Sequence, residues 1–119
     1  MNSKPKTIIC DIDGVLLRHK NKGVSIQLKK AKPLSGTLEK INEWDAKGYN
    51  IILITGRRES QRHETEEQLI YYGIFYDQLV MGVGGGDRIV INDRKPSSDA
   101  DTCFAINVKR NEGVFDVEI

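Results

Sequence analysis

Ile8-Ile9-Cys10-Asp11-Ile12-Asp13-Gly14-Val15-Leu16 decides how the rest of the chain is read. Its apolar, β-branched start predicts a buried strand. The run stops at two carboxylates two residues apart, and glycine follows at once. Residues i and i+2 of an extended segment point the same way, so Asp11 and Asp13 are expected to face one site at a strand's C-terminal end. Open α/β sheets bind their ligands there. Two crowded carboxylates repel, and burying them unpaired is costly. A hard cation between them removes the conflict, and oxygen donors suit magnesium. The plainer alternative is a polar turn after a strand, with Asp13-Gly14 as its turn pair.

Thr7 to Asp11 is therefore the first predicted strand. Residues 14–34 follow without a convincing helical pattern. A polar stretch, Arg18 to Gly23, leads into Val24, Ile26 and Leu28 alternating with Ser25, Gln27 and Lys29. Alternation around such a turn predicts a β-hairpin, which would stand over the carboxylates as a flap. Its lysines and His19 read first as a solvated face, and otherwise as contacts to an anionic substrate. Ser35 is placed to cap a helix running to about Lys47, with Leu34, Leu38 and Ile41 as its apolar stripe and Gly48 as its stop. Trp44 beside that stripe reads as packing.

Tyr49 to Ile54 predicts a second strand, apolar enough to be buried on both faces as in a parallel sheet. It ends in Thr55-Gly56-Arg57-Arg58, and a helix is expected from about Glu59 to Tyr72. An oxyanion held there would meet the Thr55 hydroxyl and backbone N–H groups near Gly56. Arg57 and Arg58 read equally as anion clamps or helix-surface charges. His63 reads as exposed. Tyr76 to Met81 predicts a third strand. The loop Gly82 to Asp87 looks like a phosphate cradle only superficially, because no helix pattern follows it. Arg88 to Asn92 predicts strand four, ending in Asp93, and Phe104 to Val108 predicts strand five. Asp11, Asp13, Thr55 and Asp93 thus fall at the C-terminal ends of three strands. The β-α-β order predicts an α/β fold: a Rossmann-like parallel sheet of about five strands flanked by helices.

The size and charge of the chain are compatible with that fold. Its 119 residues imply one domain, 1–119, with no room for a second lobe. A formal net charge of +1 gives no electrostatic case for nucleic acid or an anionic membrane. No apolar run approaches the roughly 20 residues of a membrane span. Met1 to Lys6 is polar, and no signal-type apolar region follows. Cys10 and Cys103 sit singly in apolar runs and read as small buried core residues. A reducing, cytoplasmic location is the default expectation.

The motifs, taken together, resemble the haloacid dehalogenase (HAD) superfamily of phosphotransferases. DIDGV at 11–15 is similar to its first motif, ITGR at 54–57 to its second, and INDRK at 91–95 to its acidic fourth. The resemblance implies that Asp11 attacks phosphorus and becomes an aspartyl phosphate. It implies that Asp13 protonates the leaving group and then deprotonates water. Thr55 would hydrogen-bond a phosphoryl oxygen, with Gly14, Gly56, Arg57 and Arg88 on the substrate. Magnesium would be held by the Asp11 carboxylate, the Asp13 main-chain carbonyl and Asp93.

Two departures from the family pattern matter. The third-motif lysine is missing from residues 81–87, where Val83 stands near its place. Lys95 is the preferred replacement, because it follows Asp93 by two and would share its side; Arg88 is the alternative. The second departure is the absence of a cap domain, since only the 14–34 hairpin is available as a lid. Capless members act on large substrates or use a neighbouring subunit as the lid, so a homo-oligomer is possible. The chain looks most similar to small capless proteins of bacterial surface-polysaccharide and sugar-phosphate metabolism, and FAINVKRNEG at 104–113 adds to that impression.

Three functions compete. The first is a magnesium-dependent phosphatase on a small sugar phosphate. The second is a phosphatase on a nucleic-acid 3′-terminal phosphate, less expected at near-neutral charge. The third is a non-enzymatic module that binds a phosphorylated ligand, motivated by the missing lysine. A phospho-receiver domain also places acidic residues at parallel strand ends, but its phosphoacceptor follows a later strand.

Overall fold

The structure is a computed structural model that describes residues 4–19 and 31–119. Strand β1 is Thr7–Asp11, as expected from the apolar run. Helix α1 is Thr37–Ala46, strand β2 Asn50–Ile54, a 3₁₀ turn Glu59–Gln61, helix α2 Arg62–Tyr71, and strand β3 Gln78–Val80. The sheet order is β1-β2-β3 and both pairings are parallel. Asp11 lies opposite Ile54, and Ile54 opposite Val80, so the three strands end at one level.

Alternation within the strands explains the single-sided core. Ile8 and Cys10 of β1, Ile51 and Leu53 of β2, and Leu79 of β3 are buried together with Ile41 and Trp44 of α1 and Leu69 of α2. Both helices therefore cover one face. The other face carries Ile9, 51% exposed, and Val80, 42% exposed. An open groove of about 400 Å³ crosses that face between Ile9, Ile54, Val83 and Arg88. Trp44 packs in the core as expected, 1% exposed. Among the described residues no helix is long and apolar enough to cross a membrane.

Helix α1 starts one residue later than expected, because Gly36 and not Ser35 is its N-cap, without a side-chain cap bond. Ser35 is engaged through its backbone instead: its carbonyl accepts the Val114 N–H at 2.9 Å. A Cβ at Gly36 would meet the Phe115 backbone at 2.4 Å, so only glycine lets the C-terminal tail sit against the start of the helix.

Two expected strands are corrected. Residues 88–92 and 104–108 form no strand. They belong to an arm in which 90–94 and 101–103 lie side by side. Asn92 Nδ2 donates to the Thr102 carbonyl at 3.5 Å, the Thr102 hydroxyl to the Asp93 carbonyl, and Arg94 pairs with Asp101 at 2.8 Å. Ile91 is 91% and Phe104 81% exposed. Strand propensity is realised where a pleated surface has something to pack on. After β3 the sequence supplies no third helix to cover the second face of the sheet. The same correction moves Cys103, expected in the core, to an exposed position. The turn of the expected 14–34 flap lies outside the described residues. Its two roots leave antiparallel: Leu17 bridges Pro33, and Arg18 N–H donates to the Lys32 carbonyl at 2.9 Å.

Candidate active site

The loop after β1 is wound tightly around one carbonyl. Ile12 O accepts the N–H groups of Val15, Leu16 and Leu17, and Gly14 N–H donates to Leu17 O at 2.7 Å. Gly14 holds φ +91°, the left-handed region that favours glycine. This winding sets Asp11 at the strand end and Asp13 just beyond it.

The two carboxylates have different surroundings. Asp11 accepts the Ile12 N–H at 3.1 Å. Burial lifts its carboxyl above the usual range, opposed by that N–H and by the charge of Arg88; Asp13 raises it further and His19 lowers it. Asp13 is gripped by side chains. Its Oδ2 accepts the Thr55 hydroxyl at 3.1 Å and Arg57 Nε at 3.1 Å, and its Oδ1 accepts Arg57 Nη2 at 2.8 Å. Thr55 is fully buried, and its hydroxyl also accepts the Arg57 N–H at 3.1 Å. The end of β2 therefore reaches Asp13 through both Thr55 and Arg57.

Arg57, expected on the substrate, is held by protein groups in this structure. Its side chain is 4% exposed, against 18% for Asp13. Its Nη1 donates to Thr65 Oγ1 at 3.1 Å and to Gln68 Oε1 at 2.8 Å, both on α2. The fork is thus occupied by protein groups. Removing one partner of such a buried pair leaves an uncompensated charge, at a cost of about 3–5 kcal/mol. Arg58, the other half of the expected clamp, is exposed.

The expected cations and the third metal ligand lie on the arm. Asp93 and Lys95 are exposed, and the structure gathers neither beside Asp11 and Asp13. Strand four would have brought them to the edge; without it the same-side argument has no strand to act through. Arg88, the other expected cation, lies nearer the strand-end carboxylates. Its guanidinium donates to the carbonyls of Gly84 and Gly86, and its charge acts on Asp11. Gly56 is exposed, but a Cβ there would meet the Val83 carbonyl at 3.0 Å.

Among the described residues no cluster of three or more His, Cys, Asp or Glu is gathered, and the oxygen donors at the strand end are those of Asp11 and Asp13. Asp11 is raised by burial and by its like-charged neighbour, a conflict that a cation relieves. The Asp13 carboxylate is held by Thr55 and Arg57, which leaves its main-chain carbonyl for a metal. Magnesium keeps several waters and needs only one or two protein carboxylates.

Sequence reasoning expected the tail after Asn111 to pack on the surface, and missed that Asn111 itself reaches the loop after β1. Asn111, in the left-handed region at φ 67°, brackets the backbone of His19: its Oδ1 accepts the His19 N–H at 2.6 Å and its Nδ2 donates to the His19 carbonyl at 3.3 Å. Asn111 N–H donates to Gly14 O at 2.9 Å. The Arg110 stem lies where a Gly14 Cβ would be, at 3.3 Å. The signal was Asn111 two residues before Gly113, since asparagine and glycine both tolerate positive φ.

The comparisons with known proteins bear on the family and the fold. Residues 23–102 match the family model of HAD superfamily subfamily IIIB (acid phosphatase), most of the chain, and the chain belongs to that family. The match begins after the Asp11–Asp13 loop. A chain of the Pnkp1/Rnl/Hen1 complex is similar at 30% identity and TM-score 0.58, covering 65% of this chain and 27% of that one. A second structure, of the Pnkp1/Rnl/Hen1 RNA repair complex, gives 29% identity, TM-score 0.59, and 71% and 28% coverage. This chain therefore spans little more than a quarter of those chains. A protein from Vibrio cholerae shares the fold at TM-score 0.54 and 21% identity, over 77% of this chain and 85% of that one. Among curated proteins none matches the chain.

Proposed function

We propose that this chain is a magnesium-dependent phosphomonoester hydrolase, acting on a sugar phosphate through an aspartyl-phosphate at Asp11. The observation that carries the reading is the division of labour between the carboxylates. Asp11 is engaged by one backbone N–H, whereas Asp13 is fixed by Thr55 and Arg57. A nucleophile needs a free oxygen, and an acid–base group needs a fixed aim. Family membership supports the hydrolase class.

In the first step an Asp11 oxygen bonds to phosphorus, the bond from phosphorus to the leaving oxygen breaks, and the Asp13 proton goes to that oxygen. In the second, water attacks the phosphorus, Asp13 takes its proton, and the bond to Asp11 breaks, releasing phosphate. The backbone near Gly14 and Gly56 would meet the non-bridging oxygens, with Arg88 as the added positive charge. The Thr55 hydroxyl, whose proton goes to Asp13 in this structure, would have to turn from Asp13 to join them. Magnesium, held by Asp11 and the Asp13 carbonyl and completed by water or Asp93, would neutralise the phosphoryl charge when bound.

The test is phosphate release from sugar phosphates, nucleotides and 3′-phosphorylated oligonucleotides, with and without magnesium, by wild type and Asp11→Asn. Turnover of a sugar phosphate that disappears with chelator or with Asp11→Asn is expected. No turnover of any ester, with magnesium-dependent ligand binding intact, would favour a binding module. The likeness to chains of an RNA repair complex favours a second reading, a nucleic-acid terminal phosphatase. Turnover of the oligonucleotides but not of the sugars would select it. A lid from a second copy belongs to the same proposal.

A further inference from the structure

We propose that Arg57 is a positioning residue for Asp13, and that Gln68 ties its aim to the root of the 14–34 excursion. The inference rests on the phosphatase reading, in which Asp13 is the proton carrier. Two parallel bonds, Nε to Oδ2 and Nη2 to Oδ1, fix the plane of the Asp13 carboxylate as well as its place. The remaining arm of the fork, Nη1, is held by Thr65 and Gln68, so the guanidinium cannot swing toward solvent without breaking bonds at both ends. Gln68 in turn donates through Nε2 to the Ala31 carbonyl at 3.0 Å, where the chain returns from the excursion.

An unbroken polar path therefore runs from the excursion root through Gln68 and Arg57 to Asp13. Arg57, Thr65 and Gln68 are all buried. A displacement of residue 31 changes the hydrogen bonding of Gln68, and through it the fork that aims Asp13. This gives the backbone at Ala31 a route to the proton carrier that does not pass through the substrate. It also separates the roles of the neighbouring cations: Arg57 acts through Asp13, and Arg88 acts on charge at Asp11.

The leaving group reads this role directly. A poor leaving alcohol needs its proton from a well-aimed acid, whereas p-nitrophenolate leaves without one. Lysine is a point charge and cannot reproduce the two-point grip, so Arg57→Lys keeps the charge and loses the aim. The experiment measures kcat and KM for wild type, Arg57→Lys and Gln68→Met on phosphomonoesters ranging from p-nitrophenyl to alkyl, with a thermal melt of each variant. For Arg57→Lys, kcat on the alkyl ester is expected to fall by at least about tenfold, the loss shrinking toward the p-nitrophenyl ester, with KM nearly unchanged. Gln68→Met is expected to give the same trend with a smaller loss, and serves alone if Arg57→Lys does not fold. A raised KM at unchanged kcat would make Arg57 a substrate clamp and overturn the proposal. So would a loss uniform across the series. Wild type without turnover on any ester would overturn the phosphatase reading, and this role with it.

Discussion

Single residues in this chain are set by what surrounds them more than by type, and the two cysteines make the point measurable. Cys10 lies in β1, and burial, with the charge of Asp11 added, pushes its thiol up to about 12. At pH 8 roughly one molecule in ten thousand then carries the reactive thiolate. Cys103 on the arm is exposed. A thiol reagent such as DTNB is expected to titrate one thiol per native chain quickly at pH 8, and the second only on unfolding. Two fast equivalents would mean that β1 is not buried; none would mean that the arm is covered in solution. The place of Asp11, Asp13 and Thr55 at strand ends was readable because the sequence marks strand ends by where apolar runs stop. Arg57 was not, because a clamp and an internal ion pair have the same sequence. The burial of its partners Thr65 and Gln68 decides between them, and burial of polar residues inside a charged helix leaves no periodic signature.

At the scale of elements, β1, α1, β2, α2 and β3 follow the hydrophobic pattern to within a few residues at each end. Local sequence controls those elements through apolar runs and stops, except that α2 buries Thr65 and Gln68 beside Leu69 and has no apolar stripe of its own. What eluded sequence reading is the docking of the tail onto α1, a contact between residues nearly eighty apart in the chain. Gly36 is its probe. At φ +83° alanine is strained, and its Cβ would also collide with the Phe115 backbone at 2.4 Å. At Gly48, φ +75°, an added Cβ would have nothing within 4 Å, so Gly48→Ala measures the backbone strain alone. Strain of this kind costs about 1–3 kcal/mol, and each kcal/mol lowers Tm by about 4–8 °C in a domain of roughly this size. Gly36→Ala is expected to melt clearly below Gly48→Ala. Equal melting points would mean that the tail does not press on the helix start, and the bracket that Asn111 forms on His19 would lose its support.

For the whole molecule, the decisive feature is the face of the sheet that α1 and α2 leave open. The strand order β1-β2-β3 with both helices on one side gives half of a doubly covered sheet. The sequence predicts strands for 88–92 and 104–108 from their composition, and that composition is real: Ile89, Ile91, Phe104 and Ile106 are apolar and all exposed. Together with Ile9 and Val80 they form more exposed apolar surface than scattered single residues, and such surface binds the dye ANS. Native protein at neutral pH is therefore expected to enhance ANS fluorescence while keeping a cooperative melt. Ile91→Lys with Phe104→Ser should reduce that enhancement without lowering Tm, because side chains that are 91% and 81% exposed contribute little to the core. A native protein dark to ANS, destabilised by the same pair of substitutions, would mean that the arm is packed in solution. Asp93 and Lys95 would then have a route to the strand ends, and the third metal ligand read from the sequence would regain its place beside Asp11.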